Sequence, residues 1–143
     1  MAMRLSHVTV IVKDQQEALE WYTEKLGFEK RSDDTTTVPG MRWLTVAPSG
    51  QKEVEIVLQN PDPRMGKERA TEMANLIGKN PTWVLWTDNC FKAHEQLASK
   101  GVTFIVPPKK ELWGVSAVFI DLYGNSYNLL ERPIPEHVHQ SAY

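Results

Sequence analysis

The 143-residue sequence has one cysteine, no long apolar run and no excess of positive charge. Cys90 cannot form an internal disulfide, which suits a reducing cytoplasm. No apolar stretch approaches the ~20 residues of a membrane-spanning helix, and the first ten residues lack the apolar core of a secretory signal. With 16 basic and 18 acidic residues and no RNP-type motif, nothing indicates nucleic-acid binding. The composition predicts a cytoplasmic globular protein that binds neither nucleic acid nor membrane.

The first half of the chain predicts the order β-α-β-β-β. In the β-branched stretch 5–12, alternate residues share a face, so His7 leaves the face opposite the valines. Residues 15–26 have apolar residues at helical spacing and are predicted to form a helix, with Asp14 as its N-cap and Gly27 at its C-terminal end. In the last predicted strand Glu55 lies on a carboxylate-bearing face, opposite an apolar one. The three later strands of this half are predicted at 28–32, 41–47 and 53–59.

The second half repeats this order at an offset of about 75 residues, which suits a duplicated supersecondary module rather than a solenoid. Asp88 or Asn89 caps a predicted helix that runs to Lys100. A loop is predicted at 107–113, and Tyr123-Gly124-Asn125 joins the two final strands as a hairpin. The strands of this half are predicted at 82–87, 102–106, 115–121 and 127–130. Residues 60–81, with a helix at 67–77, connect the halves, and 132–143 form a loosely held tail.

Five tryptophans are many for a chain of this length. Trp86 shares a strand face with Thr82, and Trp43 and Trp113 occur on or beside strands that would line a space between the two halves. Aromatic walls with a few polar anchors are typical of a small-molecule pocket. The alternative is that the tryptophans are large core residues, and Trp83, on the opposite strand face, is predicted to be one.

Three segments in this order resemble the vicinal oxygen chelate superfamily, which includes glyoxalase-type lyases, bleomycin-resistance binding proteins and extradiol dioxygenases. They are HVTVIVKDQQEALEWYTEKLGF, HEQLASKGV and DLYGNSYNLLE. The resemblance covers residues 4–131 and implies an α+β fold in which two tandem βαβββ modules form an open mixed sheet enclosing a cleft. We expect one domain over 1–131, with modules at about 4–59 and 82–131. Homodimerisation, common among members, can complete the cleft.

The resemblance also implies four cleft positions, which in metal-dependent members bind the ion. In this chain they are His7, Glu55, Thr82 and Asn128. Imidazole and carboxylate suit a divalent metal, but chelating members usually have His or Gln at the third position and Glu at the fourth. Two good ligands are fewer than the three that a catalytic ion needs. We therefore expect no resident cofactor, and the binding of a divalent metal by His7 and Glu55 is kept as the alternative.

Two functions follow from the resemblance. The first is a binding protein of bleomycin-resistance type whose aromatic cleft holds a small molecule without metal. The second is a metal-dependent glyoxalase-like lyase or isomerase in which His7 and Glu55 are catalytic; a dioxygenase ranks third because its two histidines and one glutamate are not all present. The residues predicted to bind the small molecule are Trp43, Trp86, Trp113, Thr82, Asn128 and Phe119.

Several polar residues have a structural interpretation beside the functional one. A buried carboxylate needs a partner, so Glu55 is predicted to pair with His7 or Arg42. A His7–Glu55 pair is either a structural contact or a general base. Cys90 at a helix start is predicted to be inert, because no base lies beside it in sequence. His94 is predicted to be packed against the core.

Overall fold

The computed structural model describes residues 2–131, so the predicted tail at 132–143 lies outside the described residues. The predicted β-α-β-β-β order occurs in both halves. The first half contains β1 (His7–Ile11), α1 (Gln15–Glu24), β2 (Glu29–Asp34), β3 (Trp43–Ala47) and β4 (Glu55–Gln59). A short 3-10 helix (Pro63–Met65) and α2 (Lys67–Asn75) follow, and then β5 (Trp83–Trp86), α3 (Cys90–Ser99), β6 (Thr103–Glu111), β7 (Gly114–Ile120) and β8 (Ser126–Glu131).

The chain divides into two compact units. The first contains the residues up to Pro81 together with Asp121–Ser126, and the second contains Thr82–Ile120 and the rest of the described chain. The turn between β7 and β8, expected to close the second module, therefore belongs to the first unit. No helix within residues 2–131 combines the length and apolar character needed to cross a membrane.

In the first unit, four strands form an open mixed sheet in the order β1-β4-β3-β2. β1 and β4 are parallel, whereas β3 is antiparallel to both β4 and β2. The α1 helix begins at its cap, where the Asp14 carboxylate accepts a hydrogen bond from the Glu17 amide at 2.9 Å, and ends near Gly27, whose φ is +71°. Its buried residues are Ala18, Leu19 and Tyr22, and they supply the apolar stripe that a helix packs against a sheet.

The buried carboxylate of Asp121 joins the turn Asp121–Ser126 to α1 and also orders the turn itself. The Tyr22 hydroxyl donates to Asp121 Oδ2 at 2.6 Å, and the Asn125 side-chain amide donates to the same oxygen at 2.9 Å. The backbone amides of Tyr123 and Asn125 donate to the other oxygen. Four donors satisfy a charge that would otherwise be costly to bury.

The second unit contains a sheet of the same order, β5-β8-β7-β6, with β5 and β8 parallel and β6 and β7 antiparallel. Its helix α3 is capped by Asn89, whose side chain accepts from the Lys92 amide at 3.0 Å. The His94 ring packs edge-on against Phe104, with centroids 4.5 Å apart, in the packed role predicted for it.

The prediction of a loop at 107–113 is wrong over most of this range, because β6 continues to Glu111. β6 is an edge strand of its sheet, where the missing N–H groups of Pro107 and Pro108 disturb only one ladder. Register shifts between Phe104 and Val106 and between Val106 and Lys109 accommodate the extra residues.

Candidate functional site

One face of the first sheet brings together the residues that the sequence singled out in this unit. We call it the His7 face and define it by His7, Trp43, Thr45, Glu55 and Gln59. The parallel register pairs His7 with Glu55 and Ile11 with Gln59, while the antiparallel register aligns Thr45 with Val57 on β4. The α1 helix packs against the opposite face, so the His7 face is the one that carries polar side chains.

The Glu55 carboxylate is held by a neutral donor and an imidazole. Its Oε1 accepts a 2.7 Å hydrogen bond from the hydroxyl of the fully buried Thr45, and His7 Nε2 lies 3.7 Å from the same oxygen. His7 Nδ1 lies 2.8 Å from the Ser6 hydroxyl. Of the two partners predicted for Glu55, His7 is therefore the one present.

Arg42, the other predicted partner of Glu55, pairs elsewhere. Its Nε and Nη2 donate to the two oxygens of Asp33, each at 2.8 Å. This fork of hydrogen bonds lowers the pKa of Asp33 and raises that of Arg42. Arg42 directly precedes β3, and its pairing with Asp33 leaves Thr45 and His7 as the neighbours of the Glu55 carboxylate.

The backbone entering Glu55 is strained. Val54 has φ of +54°, a conformation that costs a β-branched residue on the order of 1–3 kcal/mol. The Gln51 side-chain amide donates to the carbonyls of Glu53 and Val54, at 2.7 and 2.9 Å. No sequence signal predicts this conformation, because valine is among the residues least suited to it.

A cavity of about 260 Å³ adjoins the exposed indole of Trp43. Trp43 is 45% exposed, and the His7 ring contacts it edge-on with centroids 5.3 Å apart. Val38 and Met41 complete an apolar wall, with Gln59 as a polar neighbour. Neither Val38 nor Met41 was predicted to line a site: Val38 lies in an irregular loop, where no periodicity assigns a face, and Met41, predicted to begin a strand, lies in the loop before β3.

This loop, which joins β2 to β3, is shaped by Asp34. The Asp34 carboxylate accepts hydrogen bonds from the backbone amides and hydroxyls of Thr36 and Thr37. These donors, with the Thr37 hydroxyl first, hold the Asp34 pKa well below its usual range. The loop that carries Val38 and Met41 therefore starts with a turn that local hydrogen bonds hold in place.

A second cavity of about 440 Å³ lies beside the first. Its lining is mainly amide and charged side chains. Met41, Arg42 and Gln59 line both cavities, so the two adjoin. The other residues that line the second cavity are Gln15, Thr35, Gly40, Asn60, Pro61, Asp62, Pro63 and Arg64.

The donors on the His7 face do not fit a resident catalytic metal. They comprise one imidazole and one carboxylate, and one of the carboxylate oxygens already accepts from Thr45. Within residues 2–131 no group of three or more His, Cys, Asp or Glu side chains could hold an ion. A catalytic divalent metal usually has three protein ligands, and the His7–Glu55 pair supplies two.

In the second unit, Asn128 and Trp86 lie on the same face of the sheet, which we call the Asn128 face. Asn128 on β8 aligns with Val84 on β5, and Trp86 follows two residues later, 53% exposed. Asn128 Oδ1 is buried and accepts no hydrogen bond from the described part of the chain. Thr82 directly precedes β5 and is exposed.

Two further residues predicted to bind a ligand lie elsewhere in this unit. Trp113 is 52% exposed in the two-residue turn between β6 and β7. The prediction that Phe119 contacts a ligand is corrected by the structure. Phe119 is fully buried, stacks on Tyr127 with ring centroids 5.4 Å apart and contacts Phe104. Tyr127 neighbours Asn128 on β8, so Phe119 belongs to the opposite face, the core. Trp83 packs against Tyr127 as predicted.

A family model and several known proteins match nearly the whole chain. Residues 4–129 match the family described as Glyoxalase/Bleomycin resistance protein/Dioxygenase superfamily. The uncharacterized protein YurT of Bacillus subtilis (strain 168) is 32% identical over 131 residues, covering 91% of this chain and 100% of YurT. An uncharacterized protein of Shewanella frigidimarina (strain NCIMB 400) is 31% identical over 132 residues, covering 92% and 95%.

Two crystal structures are similar over nearly the whole chain. UcmS2 has a TM-score of 0.80 and 43% identity, with 91% of this chain and 98% of UcmS2 covered. TnmS3 from Streptomyces sp. CB03234, described as an antibiotic binding protein, has a TM-score of 0.72 and 29% identity, with coverage of 92% and 97%.

Proposed function

We propose that this chain, which belongs to the Glyoxalase/Bleomycin resistance protein/Dioxygenase superfamily, binds a small aromatic molecule non-covalently and without a resident metal. The binding protein acts in the cytoplasm as a homodimer. In this proposal Trp43 is the main contact of the ligand, and Trp86, Trp113, Thr82 and Asn128 remain predicted contacts.

The observation that carries the proposal is the exposed Trp43 beside an apolar cavity. An indole that is 45% exposed and braced at its edge by His7 offers a fixed aromatic surface. Val38 and Met41 line the same cavity of about 260 Å³ as Trp43. An apolar wall with few polar groups is typical of a small-molecule site. TnmS3, described as an antibiotic binding protein, supports the same class of function.

Calorimetric titration with a panel of aromatic antibiotics tests this proposal. We expect saturable binding that quenches tryptophan fluorescence, and we expect Trp43→Ala to raise Kd at least about tenfold, because a large aromatic contact is lost. Trp21→Phe is the matched control, since Trp21 lies on α1 and contacts Tyr22. Equal affinity for wild type and Trp43→Ala would contradict the proposed site.

The His7–Glu55 pair favours one alternative, a metal-dependent lyase or isomerase. In that case His7 and Glu55 would hold the ion, and the ion would supply Lewis-acid polarisation of a bound substrate. Metal analysis of untagged protein separates the two functions, with His7→Ala and Glu55→Gln as controls. Stoichiometric metal that both variants lose would overturn the binding-only proposal, whereas metal-free protein that does not turn over hemithioacetals would overturn the lyase.

A further inference from the structure

We infer that the ligand bound at Trp43 carries an uncharged, hydroxylated group, such as a sugar, which enters the adjoining 440 Å³ cavity. The inference rests on the proposed function and adds the chemical class of the ligand. It assigns a second subsite to the first unit, which we call the polar subsite and define by Gln15, Arg42, Gln59, Asn60 and Arg64.

The two cavities are placed for one ligand. The lining residues Met41, Arg42 and Gln59 are common to both, which brings the two cavities within reach of one ligand. The wall beside Trp43 is formed by apolar side chains, whereas amide and charged groups dominate the polar subsite. An aromatic ring system with a polar substituent matches both surfaces, and a bare hydrocarbon matches only the first.

The charges of the polar subsite are already neutralised, which argues against an anionic substituent. Arg42 is paired with Asp33 through two 2.8 Å hydrogen bonds. The Arg64 guanidinium donates to the Asp62 carboxylate, at 2.7 Å for the shortest contact. A phosphate or carboxylate group binds best where a cation lacks a partner, and both cations of this subsite have one.

The remaining polar groups suit hydroxyls. The Gln59 side chain donates to the Asn60 carbonyl, and the Gln15 side chain donates to the Arg42 and Leu58 carbonyls, so both amides retain an oxygen that can accept. The Asn60 side chain has no hydrogen-bond partner within residues 2–131 and can both donate and accept. A hydroxyl group also does both, and this makes a polyol complementary to a row of amides.

Arg64 fixes the loop whose residue Met41 lines both cavities. Its guanidinium donates to the Pro39 carbonyl and packs on Gly40, where an added Cβ would lie 2.9 Å from Nη1. Gly40 also has φ of +82°, which a side chain would disfavour. The loop that carries Met41 is therefore held against the polar subsite, whose shape exists before a ligand binds.

The experiment compares three probes on the full-length protein by calorimetry: 2-naphthol, 2-naphthyl β-D-glucopyranoside and 2-naphthyl phosphate. We expect the glucoside to bind about tenfold tighter than 2-naphthol, the gain of one to two net hydrogen bonds. In Asn60→Ala most of this gain should disappear while the Kd of 2-naphthol stays the same. The matched control is Asn75→Ala on α2, outside both cavities, and it should behave like wild type.

Each outcome decides between the two proposals. If none of the probes binds, the proposed aromatic site fails and the inference fails with it. If 2-naphthol binds as tightly as the glucoside, or if Asn60→Ala keeps the preference, the aromatic site stands and the polar subsite is overturned. Tightest binding of the phosphate ester would show an anion site in place of a polyol site.

Discussion

Thr45 is the residue that fixes the Glu55 carboxylate on the His7 face. Its hydroxyl is buried and donates to Glu55 Oε1 at 2.7 Å. Thr45→Val keeps the shape of the side chain and removes the donor, so we expect the free energy of unfolding to fall by about 1 kcal/mol. Urea denaturation monitored by circular dichroism measures this change.

The control for Thr45→Val is Thr9→Val. Thr9 lies on β1, on the same face, but its side chain is exposed. Surface changes of this kind usually alter stability by less than about 0.5 kcal/mol. If both variants lose the same stability, the Thr45–Glu55 hydrogen bond contributes nothing specific.

Cys90 is predicted to be unreactive in the folded protein. Its side chain is fully buried, and burial, together with the charge of Glu131, raises the pKa of the thiol. Only the thiolate reacts with disulfide reagents, so native protein at about pH 8 should not react with Ellman's reagent, while urea-unfolded protein reacts stoichiometrically. Rapid labelling of native protein would contradict this prediction.

The same raised pKa predicts how stability depends on pH. The folded thiol keeps its proton to a higher pH than the unfolded thiol, whose pKa is about 8.5. The folded state therefore binds more protons above that pH, and the free energy of unfolding falls as pH rises. Cys90→Ala should show a shallower fall than wild type when urea denaturation is repeated at rising alkaline pH.

At this scale, strand parity explains which site residues could be predicted. Alternation along β1 and β4 assigned His7 and Glu55 to one face, and the register pairs them. Phe119 lies on the opposite face from Asn128, because its side chain is fully buried and stacks on Tyr127 in the core. Val54 could not be predicted, since its positive φ is set by the surrounding loop rather than by its own preference.

Between elements, the hydrogen bond from Tyr22 to Asp121 joins α1 to the turn before β8. The carboxylate is nearly inaccessible to solvent, and the Tyr22 hydroxyl lies 2.6 Å from it. Tyr22→Phe leaves this charge with one donor fewer, so we expect a loss of about 2 kcal/mol in the free energy of unfolding. Thermal and urea denaturation measure the loss.

Tyr123→Phe provides the graded comparison. The Tyr123 hydroxyl also bonds to α1, through Asp14 and Glu17, but these contacts are exposed, and water replaces them at lower cost. We expect a smaller loss than for Tyr22→Phe. Equal losses in the two variants would mean that burial of the Asp121 carboxylate is not what makes the Tyr22 contact important.

Elements with strong periodicity were predicted well, and connections were not. The α1 and α3 helices follow their capping residues Asp14 and Asn89. The connection at 60–81, by contrast, acquires its role through tertiary contacts: the Asn80 side chain donates to the Thr9 carbonyl at 2.8 Å and accepts from the Ile11 amide at 3.4 Å. These contacts cover the outer edge of β1, and no local sequence pattern predicts them.

At the scale of the whole molecule, the internal repeat predicted two like modules, and the family resemblance predicted the open mixed sheet that they form. Both halves form a four-stranded sheet in which the first strand lies parallel to the last. The repeat did not predict that Asp121–Ser126 belongs to the first unit. That assignment fits contacts from outside the turn, in which the Tyr22 hydroxyl donates to Asp121 and the Asn80 backbone amide donates to Asn125 Oδ1; a comparison of halves cannot reveal them.

The exposed apolar residues of the Asn128 face predict how copies of the protein assemble. On the Asn128 face, Val84 is 58% exposed, and it lies beside the exposed Trp86. Contiguous exposed apolar residues on a sheet are typical of an interface. We expect the protein to be a dimer in which a second copy covers this face, and light scattering after size-exclusion chromatography measures its mass.

Val84→Lys tests where the copies meet. A lysine at this position would be buried without a partner, and this costs several kcal/mol, so the dimer Kd should rise at least about a hundredfold and the variant should elute as a monomer. Phe91→Lys is the matched control, because Phe91 is similarly exposed but lies on α3. A monomeric wild type would refute the dimer itself. A Val84→Lys dimer together with a monomeric Phe91→Lys would move the interface to the helix, because only the buried position is sensitive to the added charge.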